Sequence, residues 1–181
     1  MKSRKKLLKL AFAGVFLALA YVLPFLTGQI PEIGSRLCPM HIPVLLCGFV
    51  CGAPYGLIVG FVAPILRSVT LGMPPLFPTA AAMAFELAIY GLIAGLLYKY
   101  LPKKKPYIYV SLLGAMVAGR VVWGVAMFCI MRFYTANFSF AAFWTGAVVN
   151  AIPGIVAQII LIPALIMILE KAKLMPDKKR E

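Results

Sequence analysis

The sequence predicts an all-α membrane protein: a bundle of six transmembrane helices with both termini in the cytoplasm. Hydrophobic residues make up 63% of the 181 residues and charged residues only 13%, which is far from the balance of a soluble domain. Six apolar stretches divide the chain, and their interiors hold four charged side chains, which are Lys9, Arg67, Glu86 and Arg120. Only short loops and tails remain between them, so the chain forms a single transmembrane domain.

The six predicted spans follow the apolar runs in chain order. A crossing of the hydrocarbon takes about 20 residues, within a range of about 17–25. The spans cover residues 7–27, 37–52, 55–71, 78–98, 107–131 and 140–169. The first run also has the basic start and the small-residue site, Ala18-Leu19-Ala20, of a cleaved signal peptide. Because its apolar residues continue to Leu26, an uncleaved first span is favoured.

Spans two and three are short and carry prolines at positions 39, 43 and 64. Proline removes a backbone donor and disturbs a regular helix. The two spans are therefore either short irregular helices or a re-entrant hairpin, which is tolerated at that depth only when protein or a cavity surrounds it. Both alternatives return the chain to the side it left, so the topology of the remaining spans is the same.

The orientation follows from the distribution of lysine and arginine. Basic residues cluster in the N-terminal tail, in the segment 99–105 and in the C-terminal tail, whereas the opposite loops carry only Arg36 and Arg132. The positive-inside rule then places both termini in the cytoplasm of a multi-pass plasma-membrane protein. The net charge of +13 reflects this flanking of apolar helices, and anionic lipid headgroups rather than nucleic acid are its expected partners.

The charges inside the spans indicate where the function lies, because a charge in lipid is costly and is by default functional. At about 1.5 Å per residue, Glu86 lies ~12 Å below the outer surface, Arg120 ~16 Å, Asn150 ~15 Å and Arg67 ~6 Å. These four polar groups come from four helices and reach the outer half. A Glu86–Arg120 pair that only fixes helix register is the alternative, but a buried pair often adds little net stability.

Aromatic residues accompany these charges. Tyr90 lies one turn from Glu86, and Trp123 lies one turn from Arg120. A few oriented polar groups in a mostly apolar wall are typical of a small-molecule pocket. With Arg67 and Arg120 against Glu86, the cluster has one spare positive charge, which favours a ligand with a carboxylate or phosphate. Alternatively, Arg67 extends to the outer headgroups.

Two outer loops are candidate lids over this pocket. The loop between spans one and two contains Pro31 and Glu32, and the next outer loop contains Pro74, Pro75 and Phe77. The prolines make the second loop stiff, and its apolar side chains suit a pocket cover. The alternative is that the loop is a tight connector.

Small residues and cysteines complete the candidate features. Gly14 and Ala18 form a small-xxx-small pair on span one, which permits close helix approach either within the bundle or with another subunit. Cys47 and Cys51 lie four residues apart, but His41 is the single histidine of the chain. Buried cysteines ordinarily behave as small apolar residues, so we expect no metal site.

The segment 39–56, PMHIPVLLCGFVCGAPYG, followed by Gly60-Phe61-Val62, resembles the stretch IPVLLAGFLFGPxxG of the substrate-binding S components of energy-coupling factor (ECF) transporters. The resemblance covers nearly the whole chain. The proline-rich segment 72–78 is placed like the third loop of that family. Gly14 and Ala18 occupy the place of its alanine motif, which docks on a transmembrane coupling subunit. His41, which we include among the candidate substrate-binding residues, occupies a position that is acidic or otherwise polar in several members of the family.

The resemblance implies high-affinity capture of a vitamin or vitamin precursor in the outer half, under the first and third loops. It also implies assembly with the coupling subunit and two cytoplasmic ATPase subunits, and no cofactor. The chain has no Walker A signature, so the energy for active uptake must come from partners. Riboflavin, folate, pyridoxine and thiamine precursors are admissible ligands, and the spare positive charge favours a pantothenate-like acid.

Two other functions compete with this one. An intramembrane lipid-modifying enzyme could use Glu86 or His41 as a base. However, the sequence shows no catalytic set and few acidic or histidine residues, so we expect no enzyme and no catalytic residue. A stand-alone secondary transporter is typically built from inverted repeats, and the two halves of this sequence show no convincing similarity.

Overall fold

The structure, a computed structural model, describes residues 2–27, 37–102, 104–133, 145, 151–172 and 175. All regular secondary structure in these ranges is helical. The helices are α1 (Lys2–Val22), α2 (His41–Cys51), α3 (Ala53–Leu71), α4 (Ala81–Tyr100), α5 (Lys105–Phe133) and α6 (Ile152–Lys171). A 3-10 segment at Leu23–Thr27 continues α1, and a wider helical turn at Leu76–Ala80 precedes α4.

Five of the described helices are long and apolar enough to cross a membrane, and α2 is a shorter apolar helix. The all-α membrane class is therefore confirmed, whereas the number of complete crossings and the orientation stay predictions. The predicted first, fourth and fifth spans correspond to α1, α4 and α5. The sixth was predicted from residue 140, but the described helix starts at Ile152, and residues 140–150 lie outside the described residues except Thr145.

The shortness of α2 has a structural reason. Ten of its eleven residues are buried, the exception being Ile42, and it contacts α1, α3, α4 and α6. A helix enclosed by protein need not match the thickness of the hydrocarbon. Gly52 ends it with a φ of 94°, a conformation that residues with a Cβ rarely adopt, and α3 begins at the next residue. The predicted second and third spans are thus two helices that meet at Gly52.

Glycines allow α4 to pack at the centre of the bundle, against α2, α3 and α5. A Cβ built on Gly91 of α4 would lie 2.2 Å from the carbonyl oxygen of Gly56 in α3. The backbones of α3 and α4 therefore approach as closely as small residues permit, which is a common way of packing helices in lipid. Glu86 and Tyr90, which precede Gly91 on α4, are held in the interior of the bundle by this close packing.

One face of α5 points away from the rest of the bundle. Its exposed residues recur at intervals of three and four positions and are apolar: Val110, Leu113, Val117, Val121 and Val125. Residues at this spacing share one face of a helix. An exposed apolar stripe on a membrane helix is a lipid contact surface, so the remaining face of α5 is the one that supplies polar groups to the interior.

Candidate functional site

Three helices converge on the carboxylate of Glu86, which is 1% exposed. The Nη1 atom of Arg120, from α5, lies 2.9 Å from Glu86 Oε1. The Nε2 atom of His41, the first residue of α2, lies 3.5 Å from the same oxygen. The Arg120 contact is an ion pair, although neither contact has the angles of a hydrogen bond. The structure therefore brings together the two opposite charges that the sequence singled out, and adds His41.

Tyr90 forms the apolar side of the cluster. It lies one turn beyond Glu86 on α4, is fully buried, and packs edge-on against the His41 ring with 5.3 Å between centroids. Room for the ring comes from Gly119 of α5, since a Cβ at this position would lie 2.0 Å from the ring of Tyr90. Gly119 precedes Arg120 directly, so one turn of α5 supplies both a charge and the space beside it.

Cys38 is a contact that the sequence did not indicate. Its Sγ atom accepts a hydrogen bond from Arg120 Nη2 at 3.8 Å, and its side chain is buried. The backbone of Cys38 has a φ of 47°, in the left-handed region that few non-glycine residues occupy. Its carbonyl accepts a hydrogen bond from the His41 backbone N–H at 3.0 Å. This turn places Cys38 and His41 on the same cluster.

The cluster retains unused hydrogen-bonding capacity. Within the described residues, four of its buried atoms besides the Glu86 oxygen have no hydrogen-bond partner: both ring nitrogens of His41, the Tyr90 hydroxyl and Arg120 Nε. An unsatisfied buried polar group costs about 1–3 kcal/mol, and such groups are rare in native structures. Their concentration around one carboxylate is what a site for a polar small molecule requires.

The structure does not bring Arg67 to Glu86. Its Nη1 atom donates a hydrogen bond to the backbone carbonyl of Tyr21 at 2.6 Å, and its guanidinium lies 4.8 Å from the centroid of the Phe25 ring. Thr70, also on α3, lies 3.1 Å from the Tyr21 hydroxyl. Arg67 therefore ties the end of α1 to α3, and the spare positive charge beside Glu86 loses its structural support.

The other predicted site residues have different placements. Trp123 is partly exposed on α5, three residues beyond Arg120. Pro75 and Phe77 are exposed and Pro74 is partly buried, and the adjoining turn Leu76–Ala80 contacts α3, α4 and α5. Asn150, Pro31 and Glu32 lie outside the described residues. Direct contact of any of these with a ligand stays a prediction.

Comparison with known proteins gives a family. A family model described as "ECF transporter, substrate-specific component" matches residues 8–166. No curated protein and no solved structure matches the chain. The matched range includes every residue of the Glu86 cluster and runs from α1 into α6. Because it covers most of the 181 residues, the chain belongs to the family of substrate-specific components of ECF transporters.

Proposed function

We propose that this substrate-specific component captures a vitamin or vitamin precursor at the cluster of Glu86, Arg120, His41 and Tyr90. Its family consists of transport components rather than enzymes, which disfavours the lipid-modifying alternative. The same match disfavours a stand-alone secondary transporter. One observation carries the choice of site, namely a buried carboxylate on α4 that is contacted from α2 and α5 and surrounded by unsatisfied polar atoms.

The chemistry of the cluster favours a polar ligand with both acceptor and donor groups. Arg120 Nε can only donate a hydrogen bond, and the Tyr90 hydroxyl can donate or accept one. A neutral His41 ring donates at one nitrogen and accepts at the other. Glu86 is available to a hydroxyl or amine of the ligand. Because the charges of Glu86 and Arg120 cancel, the cluster gives no reason to expect a ligand with a net negative charge. The sequence favoured a pantothenate-like acid because Arg67 was counted as an additional positive charge in the cluster, and the structure does not support that count.

A structural role explains the cluster less well. Burying an ion pair removes two charges from water, and its replacement by apolar residues is often neutral or stabilising. A pair that served only packing would also have no need of additional unsatisfied donors around it. A binding site does need them, because oriented polar groups are what distinguish one small molecule from another.

Native mass spectrometry of the purified full chain tests this function. We expect one small molecule bound in a one-to-one complex, and we expect the same molecule to raise the melting temperature of chain that has been stripped of ligand. The compound identified in this way should be lost from the Glu86→Gln/Arg120→Gln double variant. A bound compound that the double variant retains at full occupancy would move the site elsewhere.

We also propose that both termini face the cytoplasm, on the basis of the lysine asymmetry. In intact cells, an impermeant thiol reagent should label a cysteine at Pro75, which is exposed at one end of the bundle. It should not label a cysteine at Lys104, at the opposite end. Cys129 is the exposed native cysteine among the four, so a Cys129→Ser background suffices. Labelling at Lys104 before permeabilisation would reverse the orientation; labelling only afterwards supports it.

A further inference from the structure

Gln158, on α6, is a buried polar residue outside the Glu86 cluster. It is 1% exposed, and its amide oxygen Oε1 has no hydrogen-bond partner among the described residues. Gln158 shares the buried face of α6 with Gly154, Ile162 and Ile166, at intervals of four positions, and residues at this spacing lie on one side of a helix. A buried acceptor without a partner is rare in native structures, so this one requires an explanation.

Helix α6 packs against two of the helices that build the cluster. It contacts α2, which supplies His41, and α5, which supplies Arg120. The buried face of α6 is therefore directed toward the interior that α2 and α5 share with α4. Whether Gln158 can reach a ligand at Glu86 then depends on its level along the bundle.

A contact at the far end of the bundle fixes that level. The carboxylate of Glu170 on α6 accepts a hydrogen bond from the hydroxyl of Tyr98 on α4, and both residues lie near the ends of their helices. The buried residues of α6 all precede Glu170, so α6 runs through the bundle in the same direction as α4. Glu86 lies twelve residues before Tyr98, and Gln158 lies twelve residues before Glu170. At a rise of 1.5 Å per residue, both lie ~18 Å from the contact and hence at the same level.

We infer that Gln158 is a further ligand-binding residue of the site, contributed by a fourth helix, and that it selects ligands with an N–H or O–H group on the side facing α6. The inference rests on the proposed function of the Glu86 cluster. An amide oxygen is an acceptor, so a donor group of the ligand satisfies it. A site built around such a bond rejects analogues that lack the donor, because they leave the buried acceptor unpaired.

A structural role for the amide accounts for less. Polar side chains in membrane bundles commonly form hydrogen bonds from one helix to the next. Within the described part of the chain, Gln158 Oε1 makes no such bond. An amide that served only to hold α6 in place would be bonded in the ligand-free protein, whereas an amide that recognises a ligand keeps its acceptor available.

Gln158→Met tests the inference, because methionine is similar in length and volume but has no amide. The probe is the molecule that native mass spectrometry finds on the unaltered full chain, added back in pure form to chain stripped of it. Its affinity for the variant should fall by about three- to tenfold, the effect of one neutral hydrogen bond. The melting temperature of the ligand-free variant should be unchanged or higher, since an unpaired buried acceptor has been removed.

Ile162→Met is the matched control, one turn further along the same buried face of α6, and should bind the probe with unchanged affinity. An equal loss of affinity in this control would mean that the packing of α6 matters rather than the amide, and would overturn the inference. So would a lower melting temperature with unchanged affinity in Gln158→Met, which is the result that a structural role predicts.

A second variant covers the case in which Gln158→Met does not fold. Gln158→Asn keeps an amide but withdraws it by one methylene, so it should also weaken binding, and unchanged affinity would overturn the inference. The double variant Glu86→Gln/Arg120→Gln separates this result from the proposed function. Full affinity in the double variant refutes the function of the cluster, whereas its loss there together with full affinity in Gln158→Met refutes only the role of Gln158.

Discussion

Glu86→Gln and Arg120→Gln should each weaken ligand binding by roughly ten- to a hundredfold. A hydrogen bond to a charged group contributes about 1.5–3 kcal/mol, and each 1.4 kcal/mol corresponds to a factor of ten in affinity. Both side chains belong to the buried cluster in which Arg120 Nη1 lies 2.9 Å from Glu86 Oε1. Isothermal titration of the folded chain with the compound identified by mass spectrometry measures the effect.

Loss of binding must be separated from loss of folding. Removing one member of a buried ion pair leaves a charge without its partner and costs about 3–5 kcal/mol of stability. The Glu86→Gln/Arg120→Gln double variant leaves no such charge. We therefore expect it to regain much of the thermal stability that the single variants lose, while its affinity for the ligand stays low.

The chain offers one carboxylate control and one arginine control outside the cluster. Glu170→Gln alters a carboxylate at the other end of the bundle, bonded to Tyr98, and Arg132→Gln alters an exposed arginine near the end of α5. Both should bind ligand with unchanged affinity. Near-native affinity in the double variant would exclude Glu86 and Arg120 from the site, whatever the stability of the single variants.

The membrane fold was predictable from the sequence because it depends on the length and hydropathy of consecutive runs of residues. Run length and hydropathy located α1, α4 and α5, and the confirmed family was already suggested by the segment 39–56. The same evidence did not define α2. Almost every residue of His41–Cys51 is apolar, so the pattern resembles a membrane span, although the short helix is enclosed by other helices. Enclosure is a property of the assembled bundle, which periodicity does not report.

The site was partly predictable for a related reason. Charge in an apolar span singled out both Glu86 and Arg120, and they do form a pair. Arg67 was grouped with them by depth, yet depth does not fix the direction in which a helix presents a side chain. The side of α3 that carries Arg67 faces α1, where the backbone carbonyl of Tyr21 accepts its hydrogen bond.

Two contributors gave no sequence signal. Cys38 is an ordinary buried cysteine in composition, and only the turn to His41 reveals its contact with Arg120. Gly119 is one of 15 glycines, and its importance comes from the Tyr90 ring against its backbone. Both depend on contacts between distant parts of the chain, which a single sequence does not specify.

The second large effect is expected at the partner surface. Gly14 and Ala18 are exposed on α1, and a Cβ on Gly14 would meet no atom within 4 Å. The side of α1 that packs into the bundle carries Ala13, Phe16 and Ala20 instead. We therefore propose that Gly14 and Ala18 form the surface that docks on the transmembrane coupling subunit, since small residues let two helix backbones approach closely.

Gly14→Leu and Ala18→Leu should each reduce uptake in cells by about tenfold or more, the change produced by losing ~1.4 kcal/mol of association free energy. Each added side chain would hold the two backbones apart, so pull-down of the ATPase-bearing complex should fall in parallel. Ligand affinity of the isolated chain should not change, because the Glu86 cluster is built from α2, α4 and α5. Val22→Leu, at another exposed position of α1, should transport normally. Normal uptake in both small-to-large variants would refute the docking surface, and loss of ligand binding in either would show that this face supports the bundle itself.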